Sequence, residues 1–138
     1  MELPVIRLKQ IGFIRCGDWY VIDGKLTFFL SKHQCDSHII YAFISDDEVF
    51  YIGHSTRTLH LRMTGYKNPG QRENGQRTDM RCNKYIKEIL DKGRKVDIYV
   101  LKHEDCFIDV GEFRVNYTLC LEQCLIGSIK PKWNSLGK

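Results

Sequence analysis

The sequence predicts a small α+β domain with a central antiparallel β-sheet flanked by helices. Three observations lead there. Short β-branched and aromatic runs, among them "DWYVI", "KLTFFL", "IIYAFIS", "EVFYIG" and "KVDIYVL", are separated by turn residues. Two stretches, one opening at Thr78 or Asp79 and one near Asn116 or Tyr117, carry apolar residues at helical spacing. A chain of 138 residues, 43% hydrophobic and 28% charged, can bury one core without disulfides or a structural metal.

Residues 1–37 read as a β-rich extension packed on a core of residues 38–138. In the extension "KQIGFIRC", "DWYVI" and "KLTFFL" are predicted strands, with Gly17-Asp18 and Asp23-Gly24 as the turns. "IIYAFIS" and "EVFYIG" form a hairpin across Asp46-Asp47, and Thr58 to about Thr64 is a short helix with Leu59 and Met63 on one face. "GYKNPGQRENGQRTD" reads as a loop. The helix that follows repeats Ile86, Ile89 and Leu90 and stops at Gly93. After "KVDIYVL", a loop of roughly a dozen residues leads to a last helix ending at Ile129, before Pro131.

The net charge of +4 says little, but its distribution says more. From His54 to Lys102 there are 12 Lys/Arg against 5 Asp/Glu, which is +7 and leaves −3 for the remainder. A basic middle on an acidic scaffold suggests a surface that faces a polyanion. Cysteines 16, 35, 82, 106, 120 and 124 show neither a Cys-x-x-Cys pair nor zinc spacing, and Cys120 and Cys124 are expected to be buried helix thiols. The start "MELPVIRLKQ" lacks the apolar stretch of a secretory signal, and no apolar run reaches 18 residues. The expected compartment is a reducing cytoplasm, with no membrane.

Some residues fit a purely structural reading poorly. Steps of three and four from Leu119 through Glu122 to Ile126 and Ile129 put a carboxylate on an apolar helix face, which is costly unless a cation or donors satisfy it. Gly53 invites close approach at a strand exit, where His54, Ser55 and Thr56 supply polar groups. Arg62 follows on the next helix and leans back over that exit. Tyr41 and Tyr51, taken alone, are explained by strand packing.

Together these residues resemble the GIY-YIG nuclease superfamily. "IIY" at 39–41 precedes "YIG" at 51–53 by the family's interval, with Ile39 where the first glycine usually stands. Arg62, Tyr66, Glu122 and Asn134 follow in the family's order, and "IGHS" looks most like small type II restriction endonucleases. The resemblance covers roughly residues 38–135. It implies a Mg²⁺-dependent DNA endonuclease of restriction or phage type, with Mn²⁺ as an alternative ion.

On that resemblance Glu122 is the metal ligand and Arg62 grips non-bridging phosphate oxygens. Tyr41, or next Tyr51, orients or deprotonates the attacking water. A tyrosine of pKa about 10 is a weak base, so Arg62, His54 or metal would have to lower it. His54 stands where repair-type members often carry lysine, so the cation there would depend on pH. Gly53, Tyr66 and Asn134 support these groups. Lys67, Arg72, Arg77 and Arg81, around the 66–81 loop, are the candidate contacts to double-stranded DNA. A palindromic target would call for a homodimer, since each strand needs a centre. A repair-type nicking enzyme and a catalytically silent DNA-binding module are the alternatives, and an RNA target stays open.

Overall fold

The computed structural model describes residues 2–70 and 77–135, Arg77 by its backbone only. Its architecture is α+β: a five-stranded antiparallel sheet with helices on both faces. The expected fold class is therefore observed.

The chain begins with helix α1 (Pro4–Gln10), where the sequence suggested only β structure. Proline at its first position is preorganised for a helix, and Val5 and Leu8, one turn apart, are buried. Strands β1 (Phe13–Ile22) and β2 (Lys25–Leu30) form a hairpin. Its two-residue turn, Asp23 at φ 51 and Gly24 at φ 76, is left-handed as the expected Asp-Gly signal requires. Gly17-Asp18 is not a turn, contrary to expectation. It lies inside β1, at a register shift against the neighbouring strand β5 (Val96–Leu101). A Cβ on Gly17 would lie 2.0 Å from the Phe29 carbonyl oxygen, so this glycine answers to backbone proximity.

Strands β3 (Ile39–Ser45) and β4 (Glu48–Ser55) pair across Asp46-Asp47 as expected. The sheet order is β2-β1-β5-β3-β4, which leaves β4 at an edge. Helix α2 (Leu59–Lys67) starts at Thr58, whose hydroxyl accepts the Leu61 N–H, and runs one turn past its expected end. Gly65, Tyr66 and Lys67 are thus helical rather than loop residues. Helix α3 (Arg77–Asp91) ends before Gly93, at φ 78, as the sequence indicated.

Two later elements were not anticipated. The segment read as a loop after β5 holds a short 3-10 turn and a hairpin of β6 (Phe107–Val110) and β7 (Phe113–Asn116). In this hairpin Ile108 faces Val115 and Val110 faces Phe113 on one exposed apolar side. A short helix α5 (Lys132–Ser135) follows helix α4 (Thr118–Ile129) and buries Trp133.

The packed face of α4 also differs from the expected one. Leu121, Leu125, Ile126 and Ile129 pack on the sheet, whereas Leu119 is 53% exposed. Glu122 borders the packed face, half-buried. Cys120 and Cys124 are exposed, not buried, and all six cysteines are free thiols. One face of the sheet carries α2, α3 and α5 over Trp19, Tyr41, Phe43 and Tyr51, and the other carries α1 and α4 over Ile40, Ala42 and Ile52. No helix among the described residues is long and apolar enough to cross a membrane.

Candidate functional site

Strand alternation puts Tyr41 and Tyr51 on the same face of neighbouring strands, under α2. Tyr66, from α2, completes a triangle, with ring centroids 6.5 Å apart for Tyr41–Tyr51, 6.2 Å for Tyr41–Tyr66 and 6.1 Å for Tyr51–Tyr66. The hydroxyls of Tyr41 and Tyr66 share a hydrogen bond of 2.6 Å. Gly53 sits directly across from Tyr41 in the ladder. A Cβ there would fall 2.6 Å from both the Tyr41 hydroxyl and its Cζ, so the tyrosine ring lies where any other side chain would be.

Arg62 closes this cluster from above. Its guanidinium carbon is 4.0 Å from the Tyr66 ring centre, and its Nη2 donates to Asp79 Oδ1 at 2.8 Å. Burial works to lower the Arg62 pKa, but Tyr41, Tyr66 and Asp79 outweigh it, and the net direction is up. The cation is therefore secure. The tyrosines behave otherwise. Burial pushes all three upward, Tyr51 to about 12, and the opposing pull of Arg62 is smaller. The lowering that a tyrosine base would need is not met in the free protein. Tyr41 is 1% exposed and Tyr51 9%, so Tyr51 has the better access to water.

The remaining groups gather on the free edge of β4. Asn134, on α5, accepts the Ile52 N–H through Oδ1 at 2.9 Å and donates Nδ2 to the Ile52 carbonyl at 2.8 Å. It occupies the place of a missing sheet neighbour. Two residues on, the His54 backbone N–H faces the Glu122 carboxylate. Desolvation raises the Glu122 pKa, and the nearby His54 N–H offsets part of that. Glu122 thus reaches the sheet edge from the face opposite the tyrosines, and its charge is felt by Tyr51. The His54 pKa is lowered, first by burial and then by His38, so the imidazole is neutral at neutral pH.

The candidates for DNA contact are placed unevenly. Lys67 ends α2 and Arg81 lies in α3, both partly buried. Arg72 and the Arg77 side chain lie outside the described residues. Two residues passed over in the sequence belong to the site. Asp79 holds Arg62, and Asn83 donates to the carbonyls of Tyr66 and Lys67 at 2.8 and 3.3 Å, tying α2 to α3. Asp79 is visible in the sequence as an acid in a basic stretch, but there it marks only the opening of a helix. Nothing in the sequence marked Asn83.

Glu122 suits a hard divalent cation that keeps most of its water shell. Its carboxylate is half-buried with a raised pKa, and the protein partner found for it is one backbone N–H. Among the described residues there is no group of three or more His, Cys, Asp and Glu placed to hold a metal, so a site here would rest on one carboxylate.

No protein-family model and no curated protein matches the sequence. Among solved structures, an alanine mutant of bacteriophage T4 EndoII matches with a TM-score of 0.67 at 20% identity, over 94% of this chain and 98% of that one. The restriction endonuclease HPY188I in complex with product DNA matches with a TM-score of 0.55 at 16% identity, over 94% of this chain and 77% of that one. The fold is therefore shared with these two proteins.

Proposed function

We propose that the protein is a GIY-YIG-type DNA endonuclease that hydrolyses phosphodiester bonds with Mg²⁺, or alternatively Mn²⁺. The observation that carries this reading is the half-buried Arg62 guanidinium over Tyr66 of a three-tyrosine cluster, with Glu122 at the neighbouring strand edge, its pKa raised. That set holds one fixed cation for a phosphate and one carboxylate in need of another. The fold shared with two DNA-cleaving enzymes supports it.

In this mechanism Arg62 binds non-bridging phosphate oxygens through the donors Asp79 leaves free. Glu122 would hold the divalent ion, which when bound neutralises phosphate charge and stabilises the departing 3′ oxygen. Tyr51, less sealed than Tyr41, orients the attacking water and in its phenolate form takes its proton. The water oxygen bonds to phosphorus as the P–O3′ bond breaks, leaving a 5′-phosphate and a 3′ alkoxide that takes a proton from solvent water to become the 3′-hydroxyl. Tyr41 and Tyr66 fix the ring positions through their shared hydrogen bond. Neutral His54 offers a hydrogen bond, not a charge, and Asn134 keeps the β4 edge in register. Lys67, Arg72, Arg77 and Arg81 would follow the double-stranded DNA backbone. A second copy of the chain would supply the second centre for duplex cleavage, in the cytoplasm.

The test is incubation of unmodified plasmid and phage DNA with Mg²⁺, with EDTA, and with the Glu122→Ala protein. Discrete fragments that need both Mg²⁺ and Glu122 are expected. Slow nicking without fixed fragments points to a repair-type enzyme, and DNA binding without cleavage to a silent module.

A further inference from the structure

Arg62 is held in a more particular way than a surface arginine. Its side chain is 23% exposed and that of Asp79 14%, and the pair bridges α2 and α3 across 17 residues. The guanidinium plane is fixed a second time by the Tyr66 ring. A third feature is an absence of volume. Gly65 lies inside α2, where glycine costs about 1 kcal/mol relative to alanine. Its φ is not left-handed, so no turn explains it. A Cβ at this position would lie 3.0 Å from Arg62 Nη1 and 3.4 Å from Asp79 Oδ2.

We propose that Asp79 and Gly65 form a seat that positions the Arg62 guanidinium over Tyr66 for the phosphate, Asp79 by holding Nη2 and Gly65 by leaving the slot open. This deepens the nuclease reading and rests on it. A guanidinium has five donors, so the bond to Asp79 leaves several for a phosphate. The seat is not needed to join the helices, because Asn83 already ties α3 to the last turn of α2 through two carbonyls. Asp79 is thus a positioning residue, acting through Arg62.

The test compares the wild type with Asp79→Ala, Asp79→Asn and Gly65→Ala. Single-turnover cleavage gives the rate at saturating DNA and the half-saturating concentration. Nitrogen-15 NMR of the arginine side chains reports whether the Arg62 Nη groups are held or rotate freely. The structure predicts separate Nη signals in the wild type, averaged in Asp79→Ala and shifted in Gly65→Ala. Misplacing a catalytic group by about 1 Å costs on the order of a hundredfold in rate, which is the loss expected for Asp79→Ala at saturating DNA. Half-saturation should move less than about threefold, the pattern of a lost transition-state contact. Asp79→Asn, which keeps the acceptor, should recover part of the rate. Gly65→Ala should lose rate while its Tm stays equal or rises, which a merely structural role would not produce. Wild-type rates in both alanine variants, or losses that follow Tm, would overturn the seat. If the wild type cuts no DNA, the nuclease reading fails, and the NMR arm alone decides. Separate Nη signals that depend on Asp79 support the seat, and averaged signals in the wild type overturn it.

Discussion

Replacing Gly53 with alanine tests the tyrosine cluster most directly. The added methyl would sit 2.6 Å from the Tyr41 hydroxyl and Cζ and 2.9 Å from Cε2, against an ordinary carbon contact of about 3.5–4.0 Å. Tyr41 has little room to retreat. It is 1% exposed, packed against Phe43, Tyr51 and Tyr66, and bonded to the Tyr66 hydroxyl at 2.6 Å. Overpacking of a tight core costs about 1–3 kcal/mol. Parting two buried hydroxyls adds on the order of 1 kcal/mol or more. The expected loss is about 2–4 kcal/mol, or roughly 6–16 °C in Tm for a chain of this size. The assay is urea unfolding of a double-mutant cycle with Tyr41→Leu. With the ring gone, the methyl has space, and Gly53→Ala should cost less than about 0.5 kcal/mol. An equal cost in both backgrounds would refute the argument, because the penalty would then belong to the strand and not to Tyr41.

Other consequences follow from the same geometry. If Tyr51 accepts the proton, its pKa near 12 leaves little phenolate at neutral pH, so cleavage should rise about tenfold per pH unit from 7 to 9; a flat profile removes Tyr51 as base. A carboxyl whose folded pKa is raised contributes stability fully present below its unfolded value and lost as pH rises through the folded one. The wild type should therefore melt below Glu122→Gln at pH 7 in EDTA, the gap closing below pH 4.5, and Mg²⁺ should raise only the wild-type Tm. His54, with a lowered pKa, contributes stability present above 6.5 and lost as pH falls through its folded value, so His54→Gln should flatten that part of the Tm profile. Lys67→Ala should weaken DNA binding evenly across sequences and reduce the salt slope by about one, as measured by anisotropy titration.

The strands and the main helices were legible because their signals are local. Asp-Gly at 23–24 carries its own turn geometry, and Ile86 and Ile89 carry helical periodicity. Helix α1 was missed because Val5 and Ile6 look like strand residues, although Pro4 and the spacing of Val5 and Leu8 encode a helix start. The β6–β7 hairpin was legible in the alternation of Ile108, Val110, Phe113 and Val115 around Gly111-Glu112, but was passed over as loop. Gly17 misled because a glycine needed for close approach and a glycine needed for a turn look the same in one dimension. The candidate site residues could be listed from the sequence, but not their relations. That Tyr41 bonds Tyr66, that Asp79 holds Arg62 and that Asn134 completes the β4 edge are contacts between residues 17 to 82 apart in the chain.

The edge position of β4 ties these relations together. An edge strand leaves N–H and C=O groups open to unwanted pairing, and here Asn134 pairs with both groups of Ile52 while Glu122 lies against the His54 N–H. The same edge is where the polypeptide can be approached, because among the described residues no strand lies past β4. Placing Glu122 there sets its half-buried carboxylate against one backbone N–H and leaves the rest of it facing outward. The half-burial that raises its pKa makes the charged carboxylate a small burden on the fold. On the proposed reading, a cation bound there would return that cost as affinity. On the other face Arg62 is stabilised already, by Asp79 and the tyrosines, so a phosphate meets a preformed cation. On the proposed reading, the Arg62 half of the site is finished before substrate arrives, and the Glu122 half would be completed only by a cation.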